Sequence, residues 1–392
     1  MVGKAWFVAP KRTPIGRFMG DLSNLTAPAL AAHAIAATVR ETQIDPPRID
    51  EVIVGQVLPA GAGQAPARQA MHAAGLPDST GAVSVNKVCG SGLYAVMLAS
   101  RAIAAGEASA IVAGGMESMS QAPHLLRGGR SGLKYGTQML LDAIEYDGLR
   151  CARSEQLMGG YADRVAAKHG ISRELQDRWA LASHQRALAA QERGDFQSEL
   201  VPIAVHANLT VSKDAGPRAD SSLEKLSKLK PAFHPDGTVT AGNASTLSDG
   251  AASVLVVSDA VRQEIPQLPA FRIVATATSS GLPEDLFVAP ASAIRKVLAK
   301  SQLQLPQIDL LEINEAFASQ TLACLQLLEL DGDNVNVNGG AIALGHPIGC
   351  SGTRVLVTLA AALHARQLHR GIAALCLGGG EAVAILIEHQ TA

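Results

Sequence analysis

The chain has 392 residues, enough for two or three domains with substantial buried cores. Hydrophobic residues make up 47% of it and charged residues 17%, a composition typical of a globular protein and not of a disordered one. The formal net charge of −2 argues against a broad nucleic-acid-binding surface.

The chain begins MVGKAWFVAPKRTP, with charges on both sides of a very short apolar stretch, so this segment lacks the core of a signal peptide. No uninterrupted apolar run approaches the ~20 residues of a membrane span. We therefore expect a cytoplasmic protein without a membrane partner. The odd number and wide spacing of the cysteines predict neither a disulfide framework nor a zinc site. They are Cys89, Cys151, Cys324, Cys350 and Cys376.

A faint internal repeat relates the two ends of the chain. The run IDEVIV at 49–54 resembles IDLLEI at 308–313, and Ser91-Gly92 resembles Ser351-Gly352, at offsets of 259 and 260 residues. Two copies of one α/β unit would explain this order, and chance similarity in an Ala- and Gly-rich chain is the alternative. The apolar runs VIVGQV, AIVAGG, DLLEIN and AALCLG predict strands covered on both faces. Ala- and Leu-rich stretches at 92–105 and 353–366 predict helices, so we expect layered α/β halves.

A different region, about 119–247, lies between the two copies. It begins Gly-rich and polar, continues as a predicted helix from Ser172 to Gln191, and ends in loops rich in Pro and Gly. We interpret it as an insertion into a first domain of residues 1–268, followed by a second domain of residues 269–392. Insertions on α/β scaffolds often contact the substrate.

The first candidate for chemistry is Cys89, in the run NKVCGSG. A loop gives way to a helix here, and the positive end of the helix dipole favours a thiolate. Gly90 and Gly92 would leave room for a bulky substrate to approach. A cysteine buried in a turn is the alternative to a nucleophile.

The second candidate is His346, in the run NGGAIALGHPIG. Flanking glycines contribute little packing to a structural histidine, and Pro347 stiffens the backbone just after it. The pattern therefore favours an imidazole presented to a ligand. A core or capping histidine remains the alternative.

Two further segments follow predicted strands, where α/β sheets bind their ligands. Cys376 precedes three glycines whose N–H groups can hold a developing oxyanion. Asn314, in the run NEAF, can orient a water molecule or donate to a carbonyl oxygen. A plain glycine turn and a helix N-cap are the respective alternatives.

Together these segments resemble the signature blocks of the thiolase family: VNKVCGSG, NEAF, NGGAIALGHPIGCSG and CLGGG. The resemblance extends from VAPKRTPIGRF through KLKPAF and VTAGNASTLSDGAA to the C-terminal glycines. It implies an α/β fold of duplicated layered halves, with a loop domain inserted in the first half. It also implies a homodimer or homotetramer, and a role in fatty acid metabolism.

The resemblance implies a role for each matching residue. Cys89 would be the acylated nucleophile, His346 would take its proton and later activate coenzyme A, and Cys376 would move a proton at carbon. Asn314 and His346 would form one oxyanion site, and the N–H groups of Cys89 and Gly378 the other. Cleaving a carbon–carbon bond needs this second proton carrier, but no metal or redox cofactor.

Coenzyme A as co-substrate would lie against the inserted domain. Arg218 would meet its phosphates or adenine, as the forked donors of Arg suit phosphate. The pantetheine and acyl parts would contact a further set of residues by motif position. These are Met158, Phe233, Ala241, Ser245, Ala316 and Phe317.

Two segments depart from the family pattern. Leu157 stands where acetoacetyl-CoA thiolases carry a His before Met, and the stretch EDLFVAPAS at 284–292 replaces the usual MGxGP sequence. We therefore expect altered acyl specificity with intact chemistry. The alternatives to a thiolase are a decarboxylating enzyme of the ketoacyl-synthase type, which pairs Cys with two His, and a non-catalytic acyl-CoA or lipid carrier. A dinucleotide-binding oxidoreductase is disfavoured, because no GxGxxG joins a first strand to a helix.

Overall fold

The structure is a computed structural model that describes residues 3–390. Within them, fourteen strands are present. They are β1 (Ala5–Arg12), β2 (Gly16–Arg17), β3 (Glu51–Gly55), β4 (Gly81–Val85), β5 (Ala110–Ser118), β6 (His124–Leu125), β7 (Leu141–Asp142), β8 (Ile203–His206), β9 (Leu209–Val211), β10 (Ser248–Ser258), β11 (Ala270–Ser280), β12 (Leu310–Ile313), β13 (Arg370–Leu377) and β14 (Glu381–Gln390).

The same part of the chain contains eleven α-helices. They are α1 (Ala27–Thr42), α2 (Pro66–Ala73), α3 (Ser91–Ala105), α4 (Met158–Lys168), α5 (Arg173–Arg193), α6 (Leu223–Ser227), α7 (Asp259–Glu264), α8 (Ala289–Ser301), α9 (Ala318–Leu328), α10 (Ala341–Leu344) and α11 (Ile348–Ala365). Short 3₁₀ turns and one π-helical turn, Ile144–Leu149, connect several of them.

One large sheet has the order β12-β13-β14-β11-β1-β10-β5-β3-β4, with β2 beside β10. Its two halves have the same strand arrangement on either side of the antiparallel pair β1 and β11. In this pair, Phe7 stacks on Phe271 with ring centroids 5.0 Å apart. On either side follow two antiparallel pairings and then a parallel one. Even β4 has a counterpart, since Leu311 bridges to Val335 in parallel. The predicted fold of duplicated α/β halves is confirmed.

Both faces of this sheet are covered, which explains the continuously apolar strands. In β5, Ile111 and Ala113 contact a core built around α3 and α11, whereas Val112 contacts a second core with α1 and α2. The strands of the second half pack in the same way against α8 and α9. The molecule thus has α3 and α11 as a central layer between the two half-sheets.

The two central helices meet through a reciprocal pair of glycines. A Cβ on Gly92 would lie 2.6 Å from Oγ1 of Thr353, and a Cβ on Gly352 would lie 2.4 Å from the backbone N of Leu93. Because Gly92 and Gly352 occupy the same place in the repeat, this exchange of contacts is that of a pseudo-two-fold axis. The duplication therefore brings the first turns of the two helices together.

The apolarity of these helices is accounted for by their place in the core. The stretches Val88–Ala105 and Ile348–Ala365 are long and apolar enough to cross a membrane, and 89% of the second is buried inside the protein. Core helices of this length satisfy the same criterion as membrane spans.

The insertion begins after β5 and ends at β10. These two strands pair directly, and Ser118 at the end of β5 lies opposite Asp249 near the start of β10. In the second half, the corresponding strands β13 and β14 are joined by three glycines only. Within the insertion, α5 begins after the predicted N-cap: the Ser172 hydroxyl accepts the N–H of Leu175 at 3.2 Å. The helix ends at Arg193, two residues beyond the predicted end, because Gly194 adopts the left-handed conformation there.

Candidate active site

A cavity of about 430 Å³ lies where the two halves meet the insertion. Four residues singled out in the sequence line it together: Cys89, His346, Cys376 and Gly378. Cys89 and His346 lie just before α3 and α11, Cys376 lies near the end of β13, and Gly378 lies in the turn that follows β13. Since α3 and α11 are held by the reciprocal glycine contact, the fold itself brings Cys89 and His346 into one space.

The loop that carries Cys89 is held in a strained conformation. Val88 has φ of +48°, a value that β-branched residues rarely adopt. Asn86 Oδ1 accepts the Val88 N–H at 2.9 Å, and the Ser91 hydroxyl donates to the Val88 carbonyl at 2.6 Å. Strain of this kind is maintained only when surrounding contacts impose it, and it is common at reactive residues.

The Cys89 thiol is neutral, contrary to the expectation of a thiolate. Burial raises its pKa to about 11, although the N–H groups of Gly378 and of Cys89 itself favour the charged form. Part of the residue is accessible from the cavity, but the thiol is enclosed by protein, so desolvation outweighs the helix dipole. The N–H of Gly378 donates a hydrogen bond to the sulfur.

The glycines beside Cys89 serve the packing of the protein and not the approach of a substrate. A Cβ on Gly90 would come within 2.3 Å of the Leu377 side chain, and one on Gly92 would meet Thr353 of α11. The expectation that these glycines leave room for a ligand was wrong. They allow the nucleophile loop to lie directly on the second half of the protein.

His346 is buried and not exposed, with 7% of its surface accessible. Its glycine neighbours are required by close packing, since a Cβ on Gly345 would lie 2.3 Å from Ser248 Oγ. The prediction that the glycines expose the imidazole was wrong in its reason, although the ring does line the cavity. Burial, together with the charge of Arg354, lowers the pKa of His346 to about 3. The ring is therefore a neutral imidazole that can accept a proton.

Cys376 lines the cavity, whereas Asn314 is buried and is not among the residues that line it. Burial raises the pKa of Cys376 well above its usual value, and the neighbouring Cys89 adds to the effect. Asn314 is not an N-cap: both its amide atoms are buried without a protein partner among the described residues. Since burying an unpaired amide costs about 1–3 kcal/mol, such an orphan indicates a group kept for a ligand or water.

Glu315, next to Asn314, is a buried anchor that sequence reasoning missed. It accepts hydrogen bonds from Trp179 Nε1 at 3.0 Å and the Ser183 hydroxyl at 2.7 Å, both on α5 of the insertion. It also accepts from Asn336 Nδ2 at 2.9 Å and the Ile342 N–H at 3.2 Å. Glu315 thereby holds the insertion against the segment that carries Asn314. The signal in the sequence was the glycine pair before Ala341, because a Cβ on Gly340 would overlap the Glu315 carboxylate.

The remaining wall of the cavity is mainly apolar, with Asp142 and Glu145 as its charged members. It contains six of the residues predicted to contact coenzyme A, namely Met158, Phe233, Ala241, Ser245, Ala316 and Phe317. Leu157, Leu286 and Phe287, from the two segments that depart from the family pattern, also line it. Sequence reasoning missed the contributions of Met119, Ile144, Leu149, Leu247 and Ile348. Ile348 and Leu247 lie within the motif blocks but carry no reactive group, and the other three lie outside those blocks, so their place in the cavity is recognisable only in the folded protein.

A second cavity, of about 540 Å³, adjoins the first and shares the segment from Ala241 to Leu247. Arg218 lines this second cavity and not the first, together with Arg17, Lys225 and His184. The Nδ1 atom of His184 accepts the N–H of Arg218 at 3.3 Å, and burial with the nearby charges of Arg218 and Arg17 lowers the pKa of His184 to about 4. Arg17 and Arg218 thus bring positive charge to this second cavity, whereas Lys225 is paired there with Asp220 at 2.9 Å.

The fold and this site define an α/β enzyme with two thiols and an imidazole lining one cavity. Models described as the N-terminal and C-terminal domains of thiolase match residues 6–260 and 267–389. An acetyl-CoA acetyltransferase of Chromobacterium violaceum is 49% identical over 385 residues, which cover 97% of this chain and 98% of that protein.

Two solved structures are similar along their whole length. The acetyl-CoA acetyltransferase of Bacillus anthracis has a TM-score of 0.96 at 40% identity, covering 99% of each chain. The human mitochondrial 3-ketoacyl-CoA thiolase in complex with CoA has a TM-score of 0.96 at 38% identity, covering 100% of this chain and 99% of that one.

The chain belongs to the thiolase family. It is an acyltransferase that catalyses the reversible thiolytic cleavage of 3-ketoacyl-CoA or, in the other direction, the Claisen condensation of acetyl-CoA with an acyl-CoA through an acyl-cysteine intermediate.

Proposed function

We propose that Cys89 is the acylated cysteine, that His346 is its base, and that Cys376 moves the proton at carbon. The single observation that carries this assignment is the convergence of all three side chains on one cavity. A ketoacyl-synthase-type site would pair Cys89 with two histidines. Among the described residues that line the cavity, His346 is the only histidine, and Cys376 occupies the remaining position.

In the cleavage direction, the Cys89 thiol attacks the ketone carbon while its proton passes to His346. The carbon–carbon bond then breaks, leaving an acyl group on Cys89 and the enolate of acetyl-CoA. Cys376 protonates the enolate carbon and regains a proton from His346. Coenzyme A gives its thiol proton to His346, attacks acyl-Cys89, and the leaving Cys89 thiolate takes that proton back.

Two sets of donors would stabilise the oxyanions. The N–H groups of Cys89 and Gly378 would donate to one oxyanion. Asn314, through a water molecule, and the protonated His346 would donate to the other oxyanion. Removing one such donor typically costs about 3–4 kcal/mol of transition-state stabilisation. The unpartnered amide of Asn314 supports this role, since no structural hydrogen bond holds it among the described residues.

We further propose that the two adjoining cavities together hold coenzyme A as co-substrate. The thioester end would lie at Cys89, the pantetheine would pass the segment from Ala241 to Leu247, and the phosphates would meet Arg218 and Arg17. Phosphate recognition by guanidinium groups supports this direction and not the reverse. His184 would add a neutral donor, because its Nδ1 already accepts a hydrogen bond and its proton is therefore on Nε2.

We propose that the acyl pocket accepts 3-ketoacyl-CoA longer than four carbons, which would suit fatty acid metabolism in the cytoplasm. The support is the apolar wall of Leu157, Leu286 and Phe287, where the family pattern places a histidine and a glycine-rich stretch. Thiolysis of C4, C6, C8 and C10 substrates would test this. Activity confined to acetoacetyl-CoA would contradict it.

A homodimer or homotetramer is proposed as the working form. The segment 126–146 presents exposed apolar side chains, including Leu133, Tyr135, Met139 and Leu140, which is unusual for a surface that stays in water. Sedimentation velocity would give the mass in solution. A monomer at micromolar concentration would contradict this proposal.

Radiolabelled acetyl-CoA tests the division of labour between the two cysteines. We expect acetyl label on Cys89, and its loss in Cys89→Ser, because a hydroxyl is a far poorer nucleophile at neutral pH. Cys376→Ala should still take up label, since acetyl transfer breaks no carbon–carbon bond. It should not exchange the methyl protons of acetyl-CoA with deuterated solvent. Exchange at the parent rate would make His346 the carbon base instead.

A further inference from the structure

Ser351, in the first turn of α11, contacts the Nδ1 atom of His346, a residue that lines the cavity. Its Oγ lies 2.5 Å from His346 Nδ1 and 2.9 Å from the Pro347 carbonyl oxygen. The serine is completely buried, so no bulk water competes for these contacts. Its one hydroxyl proton must therefore serve one of two acceptors.

The shorter contact does not by itself decide where that proton lies. If the hydroxyl donated to the ring, two oxygens would face each other at 2.9 Å without a proton between Ser351 and Pro347. If the Ser351 hydroxyl instead donates to the Pro347 carbonyl, that contact is a hydrogen bond. The ring then donates Nδ1–H to Oγ, and both contacts are hydrogen bonds.

We propose that Ser351 is a positioning residue that fixes His346 as the Nδ1–H tautomer, leaving the lone pair of Nε2 directed to the cavity. A base for the Cys89 thiol needs a free lone pair at Nε2, and the other tautomer would present a hydrogen there. This inference rests on the proposed role of His346.

The internal repeat supplies an independent observation. The repeat counterpart of Ser351 is Ser91, which is also completely buried. The Ser91 Oγ accepts the Lys87 N–H at 2.8 Å and donates to the Val88 carbonyl at 2.6 Å, so it holds the strained loop before Cys89. Each half thus uses the same serine to hold the reactive group that precedes its central helix.

The tautomer can be read directly by NMR of the protein labelled with ¹⁵N-histidine. The His346 signals are assigned by their loss in His346→Asn. We expect a protonated Nδ1 and an unprotonated Nε2 in the parent protein, and a shift toward the opposite tautomer in Ser351→Ala. A protonated Nε2 in the neutral ring of the parent overturns the proposal, whether or not any serine variant folds.

Kinetics separate positioning from a general structural role. In Ser351→Ala we expect acyl-enzyme formation to slow by roughly 10- to 100-fold with KM changed less than about 2-fold, as a misdirected imidazole is a poor base. Ser351→Thr, which retains a hydroxyl, should recover most of the rate. The matched control is Ser100→Ala, which removes a buried helix serine bonded only to the Met97 carbonyl, at 2.8 Å.

The outcomes distinguish this proposal from the proposed function. A Ser351→Ala rate equal to that of the Ser100→Ala control overturns the positioning role. If the parent protein forms no acyl-enzyme at all, the function assigned to Cys89 and His346 is wrong, and the NMR measurement still decides the tautomer.

Discussion

The reactivity of Cys89 toward an alkylating agent should increase with pH well beyond neutrality. Burial raises its pKa to about 11, so at pH 7 the thiolate fraction is on the order of 10⁻⁴ and rises about tenfold with each pH unit. The groups that face the two reactive side chains reinforce this state. Glu117 disfavours a negative charge at Cys89, and Arg354 disfavours a positive charge on His346.

The assay is iodoacetamide labelling of the free enzyme from pH 6 to 10, quantified for the Cys89 peptide by mass spectrometry. Peptide resolution is needed because hydrogen bonds from Tyr161 and Ser154 outweigh burial and lower the pKa of Cys151 to about 7. We expect the logarithm of the Cys89 rate to rise with a slope near one through pH 9. A plateau beginning near pH 7 would refute the reasoning, because it would mean that a thiolate–imidazolium pair forms in the resting site.

Three further predictions concern the framework of the site. Gly352→Ala should lower the free energy of unfolding by about 1–3 kcal/mol, because its Cβ meets the Leu93 backbone. The control Gly160→Ala should change this free energy by less than about 1 kcal/mol, because the flexible His234 side chain can move away. Urea unfolding measures both. Glu315→Gln should lower the free energy of unfolding by about 2–4 kcal/mol, because the new NH₂ group would face two of the four groups that donate hydrogen bonds to the carboxylate. An unchanged free energy of unfolding would mean that other contacts hold the insertion. Arg218→Gln and Arg17→Gln should each raise KM for coenzyme A roughly 10-fold with kcat unchanged. If a variant loses as much affinity for dephospho-coenzyme A as for coenzyme A itself, the substituted arginine does not contact the 3′-phosphate.

Local patterns in the amino-acid sequence determined much of the secondary structure and the identity of the candidate site residues. The apolar runs, the capping Ser172 and the repeat offsets predicted the strands, α5 and the duplicated halves, because these signals depend on short-range backbone chemistry. Cys89, His346, Cys376 and Gly378 were identified by motif, and the fold brings all four to one cavity. The bounds of the two domains, the localisation and the oligomeric state stay predictions.

Only the tertiary structure decided the electrostatics of the site. The sequence suggested a thiolate at a helix start and an exposed imidazole, but burial between the two halves makes both groups neutral, since desolvation depends on residues far away in the chain. The same holds for the glycines, whose role follows from which backbone lies opposite them. Ser351 carries no chemical signature in sequence, and the only signal for Glu315 is indirect, in Gly340, whose missing side chain leaves space for the carboxylate. Their importance arises from contacts with groups that folding alone places within hydrogen-bonding distance.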